Sequence, residues 1–138
     1  MIVVDTSAWV EYLRATGSAT HRQLRGLIER DAELATTDVV VMELLAGARS
    51  ARRLEELRRF LTRFAHLPTE GLGDYERAAA LYRLCRSEGE TVRSLTDCLV
   101  AAVAIRTRSS VLATDRDFET IARHADLSVE GTAGADSC

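Results

Sequence analysis

Lysine is absent from the chain: all 18 basic residues are arginine. That excludes a phosphate-loop lysine, a Schiff-base lysine and a lysine general base. Cysteine is scarce, with Cys85, Cys98 and Cys138 at no C-x-x-C spacing. Three thiols cannot all pair, which predicts reduced cysteines and a cytoplasmic protein. Long apolar runs are also missing. The longest, Cys98–Ile105, falls far short of the roughly 20 residues a membrane span needs, so no membrane segment is expected. Asp5, with no basic residue before it, argues against a secretion signal. Aromatic residues make up only 5%, too few for extensive stacking on nucleic-acid bases. His21, His66 and His124 are too widely spaced to match a zinc site. There is no G-x-S-x-G elbow, and Gly71-Leu72-Gly73 is too short for a dinucleotide loop.

What is present reads as one soluble domain of 138 residues, 46% hydrophobic and 28% charged. Apolar, β-branched runs predict strands at Ile2–Val4, Leu34–Thr36, Ala65–Leu67, Ser110–Ala113 and Leu127–Val129. Helical periodicity and capping residues predict helices over Ala8–Arg14, Thr20–Arg30, Asp38–Ala46, Ser50–Phe64, Asp74–Arg86, Ser94–Ile105 and Phe118–Arg123. Strands alternating with helices imply an α/β fold: a central, mostly parallel sheet of four or five short strands flanked by about seven helices. Residues 1–130 form the domain on this reading, and Gly131–Cys138, small and polar, forms a loose tail.

Acids stand in otherwise apolar surroundings at three places, and a fourth place holds a pair. Asp5 is the only charge between Met1 and Val10, Glu43 between Val39 and Ala48, and Asp97 between Ser94 and Ile105. Asp115 and Asp117 form a fourth cluster after a predicted strand. Taken singly, each has a structural explanation: Asp5 as a helix cap, Glu43 in a salt bridge, Asp97 in a first helical turn, Asp115 and Asp117 as turn residues. Taken together, they would require a separate cationic partner at four places. If they converge, two unit charges about 4 Å apart repel by about 4 kcal/mol at an effective dielectric near 20. A divalent cation removes that cost, and all-oxygen ligands favour Mg²⁺ or Mn²⁺.

These residues fall in four segments that resemble the PIN domain family. Ile2-Val3-Val4-Asp5-Thr6-Ser7-Ala8-Trp9 is similar to its opening motif and Glu43-Leu44-Leu45-Ala46-Gly47 to its second. Leu95-Thr96-Asp97-Cys98-Leu99-Val100-Ala101-Ala102 is similar to the third, and Thr114-Asp115-Arg116-Asp117-Phe118 to the last. Small free-standing domains of this kind resemble VapC, the toxin half of VapBC toxin–antitoxin modules. The resemblance implies a Mg²⁺- or Mn²⁺-dependent endoribonuclease, a toxin that inhibits translation and growth. Asp5, Glu43, Asp97 and Asp115 would be its catalytic and metal-binding acids. Asp117 would be a further ligand or a support for one, and Thr6 and Thr114 would orient ligands or water. It also implies a VapB-type antitoxin, a toxin homodimer and a tRNA or rRNA substrate.

An acidic site repels a phosphate backbone, so substrate must be held elsewhere. Between Arg49 and Arg63 six arginines face two glutamates in a chain of net charge −3. Arg49, Arg52, Arg59, Arg63 and Arg116 are therefore candidate RNA contacts, with Arg14, Arg22 and Arg25 as supplements. The same helix also reads as a solvated face with local ion pairs. Two other functions use the same residues: a DNA-directed nuclease, or a non-catalytic α/β interaction module whose acids are pairing groups.

Overall fold

The computed structural model describes residues 1–131; all of the expected tail beyond Gly131 lies outside them. Strand β1 (Ile2–Val4) feeds helix α1 (Thr6–Leu13) and then α2 (Ala19–Glu29). Strand β2 (Leu34–Thr37) runs directly into α3 (Asp38–Ala46), which is followed by α4 (Ala51–Leu61) and β3 (Ala65–Leu67). Helices α5 (Gly71–Ser87) and α6 (Leu95–Thr107) precede β4 (Ser110–Leu112), α7 (Asp117–His124) and β5 (Ser128–Val129).

The strands form one sheet in the order β3-β2-β1-β4-β5. Every ladder in it is parallel, including Val3 opposite Ala35 and Val4 opposite Leu112. Successive connections leave β1 toward β2 on one side and reach β4 on the other. The crevice between the carboxyl ends of β1 and β4 is therefore the switch point where such sheets bind ligands. Asp5 and Asp115 emerge beside it.

Helix boundaries differ from the periodic reading where a cap or turn decides them. Asp5 caps α1 through its side chain, so the helix begins at Thr6. The start of α5 moves back to Gly71, whose φ of +51° suits glycine. At the end of α4 the Arg63 and Phe64 N–H groups bond carbonyls three residues back, and this tightened turn ends the helix before Phe64.

Helix α6 is the central support. Cys98, Leu99, Val100, Ala101, Ala102, Val103 and Ala104 are all buried, as an almost wholly apolar helix requires. Phe118 and Ile121 are also fully buried and anchor α7 beside α6. Each such side chain contributes about 1.5–3 kcal/mol on burial. The two helices that carry Asp97 and Asp117 are thus rigidly held. No helix among the described residues is long and apolar enough to cross a membrane.

Candidate active site

Asp5 leaves β1 in extended conformation and accepts bonds at one oxygen, Oδ2, from the Ser7 N–H at 3.0 Å and the Ser7 hydroxyl at 2.7 Å. The Ser7 Oγ in turn accepts the Thr114 N–H at 3.0 Å. One serine thereby ties the end of β1 to the loop after β4. Asp5 is 3% exposed. Burial drives its pKa up, the Ser7 bonds oppose this, and the Glu43 charge adds to the rise.

Asp97 lies in the first turn of α6, where the Ser94 hydroxyl accepts its N–H. Its side chain is buried, and Oδ2 has no hydrogen-bond partner. Burial, followed by the charges of Asp5 and Asp115, pushes its pKa up to about 9. Asp115 is exposed on the loop after β4, and one of its oxygens accepts the Asp117 N–H at 3.0 Å. Asp117 opens α7 and is buried; its carboxylate accepts the N–H groups of Arg93 and Ser94 at 3.0–3.1 Å. Oxygens of Asp97, Asp115 and Asp117 all lie within 4.8 Å of one another.

Glu43, on α3, is exposed and stands outside this tight trio. It accepts the Thr6 hydroxyl at 2.8 Å, which fixes it beside the start of α1. Thr6 thus orients an acid through its side chain, whereas Thr114 acts through its backbone N–H. Ser7 and Ser94 carry no functional mark in the sequence; each joins two elements only once the fold is formed.

The arginines separate into groups. Arg49 and Arg53 border a groove that also includes Thr6 and Glu43. Arg116 is exposed between Asp115 and Asp117. Arg52 is 91% exposed and bonds Glu56 at 3.3 Å. Arg59 is exposed in the last turn of α4. Arg63 sits over the rings of Phe60 and Phe64 and borders a hollow with Met1 and Glu33, at the amino ends of the strands. The structure does not bring Arg63 to the acids, because α4 runs back along the sheet away from them.

A divalent cation fits this donor set. The ligand atoms are carboxylate oxygens, and none of Asp5, Glu43, Asp97, Asp115 and Asp117 forms an ion pair with arginine among the described residues. The buried oxygen of Asp97 has no hydrogen-bond partner, so the group ionises there only if a positive charge is supplied.

The PIN domain family model matches residues 2–124, and the chain belongs to that family. Its relatives there are VapC ribonucleases. It is 43% identical to Ribonuclease VapC11 of Mycobacterium tuberculosis over 128 residues, 92% of this chain and 96% of the relative. The VapC ribonuclease of Mycobacterium bovis matches to the same extent, 43% over 128 residues. A crystal structure of VapBC2 from Rickettsia felis, bound to a promoter DNA fragment, has the same fold. Its TM-score is 0.72 at 18% identity, covering 94% of this chain and 98% of that one.

Proposed function

We propose that the chain is the ribonuclease toxin of a VapBC pair and hydrolyses RNA phosphodiester bonds with Mg²⁺ or Mn²⁺. The observation that carries this reading is the buried Asp97 oxygen with no donor, set among Asp5, Asp115 and Asp117. Asp97, Asp115 and Asp5 would hold the ion, and Glu43 would add charge from the α3 side. When bound, the cation supplies Lewis acidity and positive charge against the phosphoryl oxygens. Asp97 or Asp115 orients the attacking water and draws its proton, while the leaving ribose oxygen is protonated from solvent. Asp117 already accepts two backbone N–H groups, so its role is to hold the α6 start against the α7 start. Thr6 positions Glu43, and Ser7 positions Asp5.

The partner is a VapB-type antitoxin, with toxin subunits paired as a homodimer. The names of the relatives and the VapBC complexes that share the fold support the antitoxin; the homodimer rests on the family resemblance alone. The test is cleavage of matched RNA and DNA oligonucleotides by the metal-stripped chain, with and without added Mn²⁺. Cleavage of RNA alone, and only with Mn²⁺, is expected. RNA cleavage that persists in chelator would overturn the metal reading, and preferential DNA cleavage would overturn the substrate.

A further inference from the structure

The groove beside Glu43 has a volume of about 520 Å³ and lies between α1, α3 and the start of α4. One end is formed by the hydrogen-bonded pair Thr6 and Glu43, and the Glu43 charge is felt at Asp5, so this end adjoins the acidic site. Its floor is apolar, formed by Val10, Leu13 and Leu57. Arg14, Arg49 and Arg53 stand along it, and all three are exposed. Arg14 and Arg49 form no ion pair among the described residues, and Arg53 has only a 3.5 Å contact with the exposed Glu56.

The position of these arginines follows from the fold. Helix α4 starts near the carboxyl ends of the strands and descends to the amino end of β3. At 1.5 Å per residue, Leu61 lies about 12 Å further down the helix axis than Arg53. Only the first turn of the arginine-rich helix therefore reaches the acids. Arg14, which closes α1, adds charge from the opposite wall.

We propose that this groove carries the RNA strand adjoining the scissile bond, with Arg14, Arg49 and Arg53 each taking one backbone phosphate. The proposal rests on the ribonuclease reading and assigns that reaction three positioning residues. The charge pattern matches the substrate: an acidic end that would bear the cation for the reacting phosphate, then guanidinium groups for its neighbours. The apolar floor accommodates ribose and base faces without selecting a sequence. Arg59 and Arg63, at the far end of α4, take no part.

The test is fluorescence anisotropy with a short, 5′-labelled, mixed-sequence single-stranded RNA, in EDTA, across a series of KCl concentrations. Arg14→Ala, Arg49→Ala and Arg53→Ala should each raise Kd roughly five- to tenfold at low salt. Each should also flatten the slope of log K against log salt by about 0.7, the loss of one phosphate contact on a single strand. Arg58→Ala is the control: the same helix and the same lost charge, but a side chain bordering a different hollow with Thr36 and His66. It should leave the slope unchanged. An equal effect from all four variants would mean general attraction, and no effect from the groove variants would mean RNA lies elsewhere. Either overturns the proposal. Loss of poly-glutamate binding with RNA binding intact would assign the groove to an acidic protein and overturn it too. A chain that shows the expected binding differences but no Mn²⁺-dependent cleavage would sink the ribonuclease reading and leave the groove assignment standing.

Discussion

Asp74 and Asp97 are buried carboxylates on α5 and α6, helices packed against each other, at 0% and 8% exposure. Arg106 donates to Asp74 through Nε and Nη2 at 2.9–3.2 Å, and the Glu70 N–H adds a bond at 2.8 Å. The same guanidinium reaches Glu70 and the Pro68 carbonyl. Burial alone would raise the pKa of Asp74, but these bonds outweigh it and hold the carboxyl below its usual range. Asp97 has the same burial problem and the opposite solution. Its neighbours are other acids, one oxygen is unbonded, and its pKa rises to about 9. A chain able to place an arginine on one buried acid has left the other without one. The difference separates a carboxylate neutralised inside the fold from one that, on the proposed function, an external cation would neutralise.

The comparison breaks most clearly on activity. Asp97→Asn keeps the shape of the side chain and removes its charge, so cleavage should fall by about 10³-fold or more. Asp74→Asn should leave the turnover of folded protein unchanged. Single-turnover cleavage of labelled RNA measures both, and equal losses would mean that the two sites are not distinct.

Stability should show the reverse order. Arg106→Ala leaves the fully buried Asp74 with only the Glu70 N–H and the half-exposed Arg77 at 3.5 Å, and removing the main partner of a buried pair costs up to about 3–5 kcal/mol. Denaturant unfolding of the metal-free protein measures this. Asp97→Asn should cost nothing in the same assay and should stabilise the chain, because the folded state must keep this carboxyl protonated where the unfolded chain ionises it. A stability loss at Asp97 equal to that at Arg106 would make Asp97 an ordinary structural acid.

Cation binding sharpens the contrast. At a Mn²⁺ concentration about 100 times its Kd, linkage predicts about 2.7 kcal/mol of added stability. Wild type and Asp74→Asn should both gain it, measured as a rise in Tm, while Asp97→Asn should gain little. A Tm that ignores Mn²⁺ in wild type would remove the cation from the site.

These two acids also show which parts of the molecule are legible in sequence. Asp97 is visible as a lone charge in an apolar helix, and Asp5 as a charge just after a buried strand, because local pattern exposes the burial. The helices and strands follow from the same kind of pattern. The burial of Asp74 is not visible: Arg77 three residues on reads as a surface ion pair, and the main partner lies 32 residues away on another helix. Ser7 looks like a cap until β4 is placed beside β1. Among the arginines of α4, charge alone cannot separate Arg53 from Arg63. The direction in which the helix runs along the sheet separates them, and that is a property of topology. Local chemistry is readable residue by residue, whereas pairing across elements depends on strand order.

The two carboxyls also differ in the sign of their pH dependence, in the metal-free protein. Asp97 has a folded pKa raised to about 9, so the folded state holds its proton more tightly than the unfolded chain. Its contribution is complete below the ordinary aspartate range and is lost as pH rises toward about 9, by at most about 1.4 kcal/mol per pH unit. Asp74 has a lowered folded pKa, so its contribution is complete above the ordinary range and is lost as pH falls through the lowered value. Unfolding free energies of wild type and Asp97→Asn, measured in chelator between about pH 5 and pH 8, should therefore diverge as pH rises. The Asp74→Asn difference should stay flat over that window and shrink only under more acidic conditions. Parallel pH profiles for wild type and Asp97→Asn would mean that Asp97 is ionised without cost, and its buried oxygen would then have no need of a cation.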